Sequence, residues 1–174
     1  KGDPRIEALV KNEADVCIRA LSINSERKKY ILFTNPYYFD GHSALVRKSD
    51  SLKTLTDLDG KRVYTLEFTS AHQWVQNNLN QSTLLTYEKF DTAFVKPEGL
   101  LLKNEIDAYI LDKSFLNEIA LNNKQLEVMS HKFTEESIGI GVTKSRPDLV
   151  SKLNKAMEKM KETGEFEKYL KRLN

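Results

Sequence analysis

Short apolar runs alternate with stretches of helical periodicity from one end of the chain to the other, and no other feature restricts the fold so strongly. Chains of this pattern build α/β proteins, in which helices cover a sheet of largely parallel strands. The strand-like runs fall at 15–21, 31–33, 42–47, 62–66, 84–87, 106–111, 126–129 and 138–143. Helical signals fill the gaps. Ile6, Leu9 and Val10 recur at helical spacing over 4–12, with Pro4 suited to the first turn. Asn24 or Ser25 caps a short helix through Tyr30, Ser70 and Gln73 form a capping box for the next, and Asp112 caps a helix to Asn122. The region 91–103 reads as helix broken or restarted by Pro97 and Gly99. Near the end Ser145 is the expected cap and Pro147 lies in the first turn. Leu149, Val150, Leu153, Met157 and Met160 form one stripe that should pack into a core, and Gly164 is the stop. A short helix over 166–173 closes the chain.

Charge removes several classes of partner. The 27 Lys and Arg against 25 Asp and Glu leave a formal charge of +2, too balanced for an electrostatic grip on nucleic acid or an anionic membrane. Even the basic tail is interleaved with Glu158, Glu162, Glu165 and Glu167, the pattern of a solvated face. No stretch approaches the ~20 apolar residues of a membrane helix. Lys1 to Pro4 carry no leader core, which leaves export undecided. The three histidines, at 42, 72 and 131, have no zinc spacing, so neither metal nor cofactor is expected. Cys17 is the single cysteine and lies in an apolar run, where a buried, inert thiol is expected.

Three places put polar groups at strand ends and helix starts, where an open α/β sheet presents a ligand. Ser22 follows a strand and Arg27 falls in the next helix; a guanidinium can hold a carboxylate through two parallel hydrogen bonds, with a hydroxyl as third donor. Arg27 could equally pair with a surface carboxylate, and Ser22 could cap a turn. Thr69 and Ser70 stand at a strand-to-helix turn whose free N–H groups suit an anion, or they cap the helix, or both. Asp112, at the end of the 106–111 strand, could accept hydrogen bonds from an ammonium group or serve only as a helix cap. An arginine, hydroxyls and a helix start on one side with a carboxylate on the other describe a receptor for a zwitterion.

The same residues carry a resemblance. The stretch 15–38, DVCIRALSINSERKKYILFTNPYY, is similar to the signature of the polar-amino-acid family of bacterial extracellular solute-binding proteins. The likeness continues through LTDLDGKRV at 55–63, KNEIDAY at 103–109 with Asp112 beyond, and SIGIGVTK at 137–144, and so covers nearly the whole chain. It implies a two-lobed, hinged clamp, a periplasmic-binding-protein-like α/β fold of type II, that closes on a free amino acid. Arg27 matches the arginine that binds the α-carboxylate, Ser22 the hydroxyl beside it, Thr69 and Ser70 the hydroxyls of the second lobe, Asp112 the acid for the α-ammonium, and Ala20 and Arg19 the small residues lining the cleft. By the family layout, 48–143 form the second lobe, while 1–47 and 144–174 form a first lobe incomplete on its N-terminal side. Exposed sheet edge and apolar surface would then favour self-association or complementation by another chain.

Two departures from the family pattern stand out. Glu67 and Phe68 replace the usual glycine-containing lead into the hydroxyl turn, which should reshape that anion site. Arg19 is large and charged where the family has a small residue; facing the ligand it would disfavour a cationic side chain, and facing solvent it would not. The resemblance implies a periplasmic or extracellular protein, free or lipid-anchored, whose closed form is read by the membrane subunits of an ABC importer. Its alternative is the sensory domain of a membrane receptor or sensor kinase. An enzyme on this fold would need a perturbed acid–base pair, and no histidine falls at a mapped ligand position. The Arg27 motif argues against the effector domain of a transcription regulator.

Overall fold

The computed structural model describes residues 2–79, 83–85 and 96–170. In chain order the elements are helix α1 (Pro4–Val10), strand β1 (Val16–Cys17), α2 (Ser25–Lys28), β2 (Leu32–Phe33), β3 (Tyr38–Asp40) and β4 (His42–Arg47). Next come β5 (Arg62–Tyr64), α3 (Ser70–Asn78), β6 (Thr83–Leu85), α4 (Pro97–Leu102), β7 (Ala108–Asp112), α5 (Lys113–Leu121) and β8 (Leu126–Val128). The chain ends with β9 (Glu136–Ile138), β10 (Gly141–Val142), α6 (Asp148–Glu162) and α7 (Glu165–Leu170). Residues 86–87, 91–95 and 171–173 of the expected elements lie outside the described residues.

The chain divides into two compact units, the first made of Lys1–Asp40 and Glu136–Asn174, the second of Gly41–Glu135. The crossing falls at Asp40/Gly41 rather than after Arg47 because β4, expected to end the first lobe, lies inside the second unit's sheet. That sheet runs β6-β5-β7-β4-β8. It is mixed rather than parallel: β5 is parallel to β6 and β7, whereas β4 is antiparallel to β7 and β8. β4 is flanked on both sides and its first five residues are buried, the polar His42 and Ser43 included. Leu45, Val63, Tyr109, Ile110, Leu116 and Leu126 are among the residues of one core beneath α3, α4 and α5. Asp107 ties the sheet's start, accepting from Arg62 through Nε at 3.0 Å and Nη2 at 2.8 Å and from Arg47 Nη2 at 3.2 Å. Chiefly through the Arg62 side chain, its carboxyl is held down at about 2. Gly41 is required where the second unit begins, since a Cβ there would stand 2.0 Å from the Thr134 carbonyl oxygen.

The first unit has a three-stranded antiparallel sheet, β1-β10-β2, and a two-stranded ribbon, β3 with β9. The strands are shorter than the apolar runs suggested. Only 16–17 of 15–21 pair, and 138–143 splits into β9 and β10. Leu9, Leu21 and Ile31 make a small core that closes on the bare backbone of Gly141; a Cβ there would lie 2.9 Å from Leu21 Cδ2 and 3.1 Å from Leu9 and Ile31. Asp3 caps α1 by accepting from Arg5 N at 3.0 Å, with Pro4 in the first turn. The α6 cap differs from expectation. Pro147 takes that position with no side-chain cap, while the Ser145 hydroxyl donates to Asn12 Oδ1 at 2.6 Å. The α6 stripe is only half-buried, and none of that helix's residues is fully covered among the described residues, so Met157 and Met160 are not core residues here.

Candidate functional site

In the first unit the loop between β1 and α2 is held by its carbonyl groups. Arg19 O accepts from the Tyr37 hydroxyl at 3.0 Å, Ala20 O from Arg5 Nη1 at 3.5 Å, Leu21 O from Gly139 N at 3.2 Å and Ser22 O from Arg27 Nη1 at 2.9 Å. Four consecutive carbonyls, each accepting from a different residue, restrain the loop. Asn24 caps α2, accepting from Arg27 N at 2.8 Å, and so sets the start of the helix that carries the arginine. Arg27 is 9% exposed, and Ser22 is buried beside its isolated bridge to Ile138. Ala20 and Arg19 are exposed.

The partner that Arg27 keeps is not visible in the sequence. Asp3 Oδ2 lies 3.3 Å from Arg27 Nη2 and 2.8 Å from Arg5 Nη2, while Asp3 Oδ1 also accepts from Arg5 Nε at 3.0 Å. One carboxylate is thus shared by two guanidinium groups, an arrangement that compensates part of their charge and leaves the cluster electropositive. Cys17 stands nearby, half-buried, and burial pushes its thiol up, which disfavours the reactive thiolate. The one available signal for Asp3 was its place before Pro4, the pattern of a helix cap.

In the second unit Thr69, Ser70 and Asp112 come to one edge of the sheet. Ser70 opens α3 after β5, Asp112 ends β7, and both lie at the carboxyl ends of adjacent parallel strands. Thr69, not Ser70, is the cap of α3: its hydroxyl accepts from His72 N at 3.1 Å and donates to Leu66 O at 2.6 Å. With its one proton given to a carbonyl, Thr69 shapes the turn. Asp112 occupies the cap position of α5 but makes no side-chain cap bond. It turns to His42 instead.

His42 is the residue that sequence reasoning passed over. It opens β4 directly across the ladder from Asp112, its imidazole is 1% exposed, and its Nε2 lies 3.0 Å from Ser70 Oγ and 3.6 Å from Asp112 Oδ1. A strand histidine opposite an acid cannot be seen before the pairing of β4 with β7 is known. The trio does not have the geometry of a serine-hydrolase relay, in which the acid and the hydroxyl face opposite ring nitrogens; here both face Nε2. Ahead of this turn, Phe68 adopts a left-handed φ of 61° where glycine would be unstrained. The departure noted in the sequence thus places backbone strain just ahead of the hydroxyl pair. No group of three or more His, Cys, Asp or Glu is spaced to hold a metal among the described residues.

The model of the bacterial extracellular solute-binding proteins, family 3, matches residues 1–173. The chain belongs to this family. Among curated members, the ABC transporter glutamine-binding protein GlnH of Bacillus subtilis is 28% identical over 169 residues, 97% of this chain and 60% of that protein. ABC transporter arginine-binding protein 1 of Escherichia coli is 31% identical over 172 residues, 95% of this chain and 68% of that protein. Among solved structures, a mutant of ArgBP from T. maritima superposes with a TM-score of 0.87 at 28% identity, covering 98% of this chain and 73% of that one. The chain therefore spans about two thirds of the family members it matches. Its fold is that of the amino-acid-binding members, and among the described residues no helix is long and apolar enough to cross a membrane.

Proposed function

We propose that this chain is the ligand-binding part of an extracytoplasmic amino-acid-binding protein that delivers its ligand to the membrane subunits of an ABC importer. The α-carboxylate of a free amino acid is taken by Arg27, with the Ser22 hydroxyl and the exposed backbone at Ala20 beside it. The α-ammonium is taken by Asp112, with Ser70 as the second unit's hydroxyl and Thr69 as the cap that fixes its turn. The observation that carries this reading is Arg27: a nearly buried guanidinium, held by Ser22 O and Asp3, in a loop whose successive carbonyls are all anchored. That is the preorganisation a planar carboxylate fork requires.

We read the role as binding, in keeping with a family of solute-binding proteins. The protein acts on the outer face of the membrane, free or lipid-anchored. The half-buried stripe of α6 provides apolar surface through which copies would self-associate. Relatives named for glutamine and arginine set the first ligands to try. Relatives named for ABC transport favour the importer over the sensory-domain alternative. A thermal-shift screen of the twenty amino acids tests the reading, because a ligand that binds only the folded state raises the melting temperature. At least one α-amino acid should raise it in proportion to the logarithm of its concentration; no shift with any of them at millimolar levels contradicts the proposal.

A further inference from the structure

We infer that His42 is a positioning residue for the ammonium-binding side of the site, holding the Asp112 carboxylate and the Ser70 hydroxyl in the arrangement the ligand meets. The inference rests on the function proposed above, and it concerns a residue that touches no ligand in that reading. Three observations support it. His42 is completely buried, yet its imidazole is turned to two polar side chains rather than to the apolar core of the sheet. Its backbone is fixed on both sides, its N–H donating to Thr134 Oγ1 at 3.0 Å and its carbonyl accepting from Phe133 N at 2.7 Å. The ring therefore stands on a rigid strand end, with its nitrogen aimed by the ladder register that sets His42 opposite Asp112.

The third observation is what Asp112 does not do. An aspartate at a helix cap position ordinarily bonds the N–H groups of the first turn. Asp112 makes no such bond, and its carboxylate lies toward Nε2 of His42 instead. The imidazole thus competes with the helix for the carboxylate. With Asp112 Oδ1 3.6 Å from Nε2, a proton on that nitrogen faces the carboxylate and sets its orientation toward the ligand. Without the ring, the same carboxylate has the first turn of α5 to fall back on. It would then be withdrawn from the ligand while the helix gained a cap. The Ser70 hydroxyl, 3.0 Å from the same nitrogen, would lose the contact that selects its rotamer.

The experiment is calorimetric titration of the full chain and of His42→Leu, His42→Gln and Asp112→Asn with L-arginine and L-glutamine, and with the analogues of each that lack the α-amino group. His42→Leu should weaken the amino acid about tenfold, through loss of the hydrogen bond to Ser70 and of the polar contact that orients Asp112. It should leave the desamino analogue unchanged. His42→Gln, which can return an N–H at nearly the same place, should recover most of the loss. Equal loss for amino acid and analogue, or full affinity in His42→Leu, overturns the positioning role. If Asp112→Asn itself leaves amino-acid affinity intact, it is the proposed site that fails. Should His42→Leu not fold, or no amino acid bind, imidazole nitrogen NMR of the unliganded chain still decides. The Nε2 resonance of His42 should move in both Asp112→Asn and Ser70→Ala, and its staying fixed in both contradicts the inference.

Discussion

The two units of this chain solve the same problem with different materials. In the second, a five-stranded sheet is packed under three helices over a core of twenty buried apolar residues among those described, and the His42, Ser70 and Asp112 group sits on its rim. In the first, the buried apolar cluster among the described residues is Leu9, Leu21 and Ile31, and the longest helix, α6, has no fully buried residue among those described. What fixes the Arg27 loop there is polar: four anchored carbonyls, the Asn24 cap and the Asp3 carboxylate between two arginines. The comparison teaches that a binding residue can be immobilised either by a core beneath it or by a network around it. The second way is more exposed to single polar substitutions.

The contrast can be broken first in the core. Leu45→Ala, deep in β4, should destabilise the second unit by about 2–5 kcal/mol. Leu153→Ala in the half-buried stripe of α6 should cost much less, and urea unfolding followed by amide exchange will rank the two. If they cost the same, the two units do not differ as described. The next effect belongs to the network. Asp3→Asn keeps the shape but removes the charge facing Arg5 and Arg27, and should cost about 2 kcal/mol, localised to the first unit's amides. A smaller and opposite effect is expected at the strained turn. Phe68→Gly should stabilise the second unit by about 1 kcal/mol through relief of the left-handed backbone, provided the ring's packing is worth less than that strain. A drop in melting temperature would show that the ring matters more.

The gentlest lever is pH. Asp107 is held at about 2, below its ordinary value of 3.8, chiefly by Arg62. Its folded-state pKa is depressed, so its contribution to stability is present above the ordinary value and fades as pH falls through about 2. Acid titration should therefore cost the second unit stability between roughly pH 4 and pH 2. Asp107→Asn should flatten that part of the curve, and an unchanged acid limb would remove Asp107 from the account.

Much of this was readable in advance, and the failures have definite causes. Strand β4, helix α3, strand β7 and helix α5 lie where the apolar runs and breakers put them, because each is buried on a face or flanked on both sides. The Arg27 loop was readable because Ser22, Asn24 and Arg27 lie within six consecutive residues. The Ser145 cap failed because its hydroxyl found Asn12, far away in sequence. The stripe of α6 has the periodicity of a core helix, but periodicity states which face is apolar and not what covers it. His42 and Asp3 were missed for one reason. Each acts through a partner brought near by pairing or packing, and a single sequence carries no register.

The central claim is that Arg27 takes a carboxylate in a fork. Replacement by lysine keeps the charge and nearly the length but removes the planar pair of donors. Calorimetric titration of the wild type and Arg27→Lys, with melting curves as the control for folding, tests it directly using L-arginine and L-glutamine. The account predicts binding of at least one of them by the wild type and a loss of at least about tenfold in Arg27→Lys at an unchanged melting temperature. Equal affinity in the two folded proteins would contradict it.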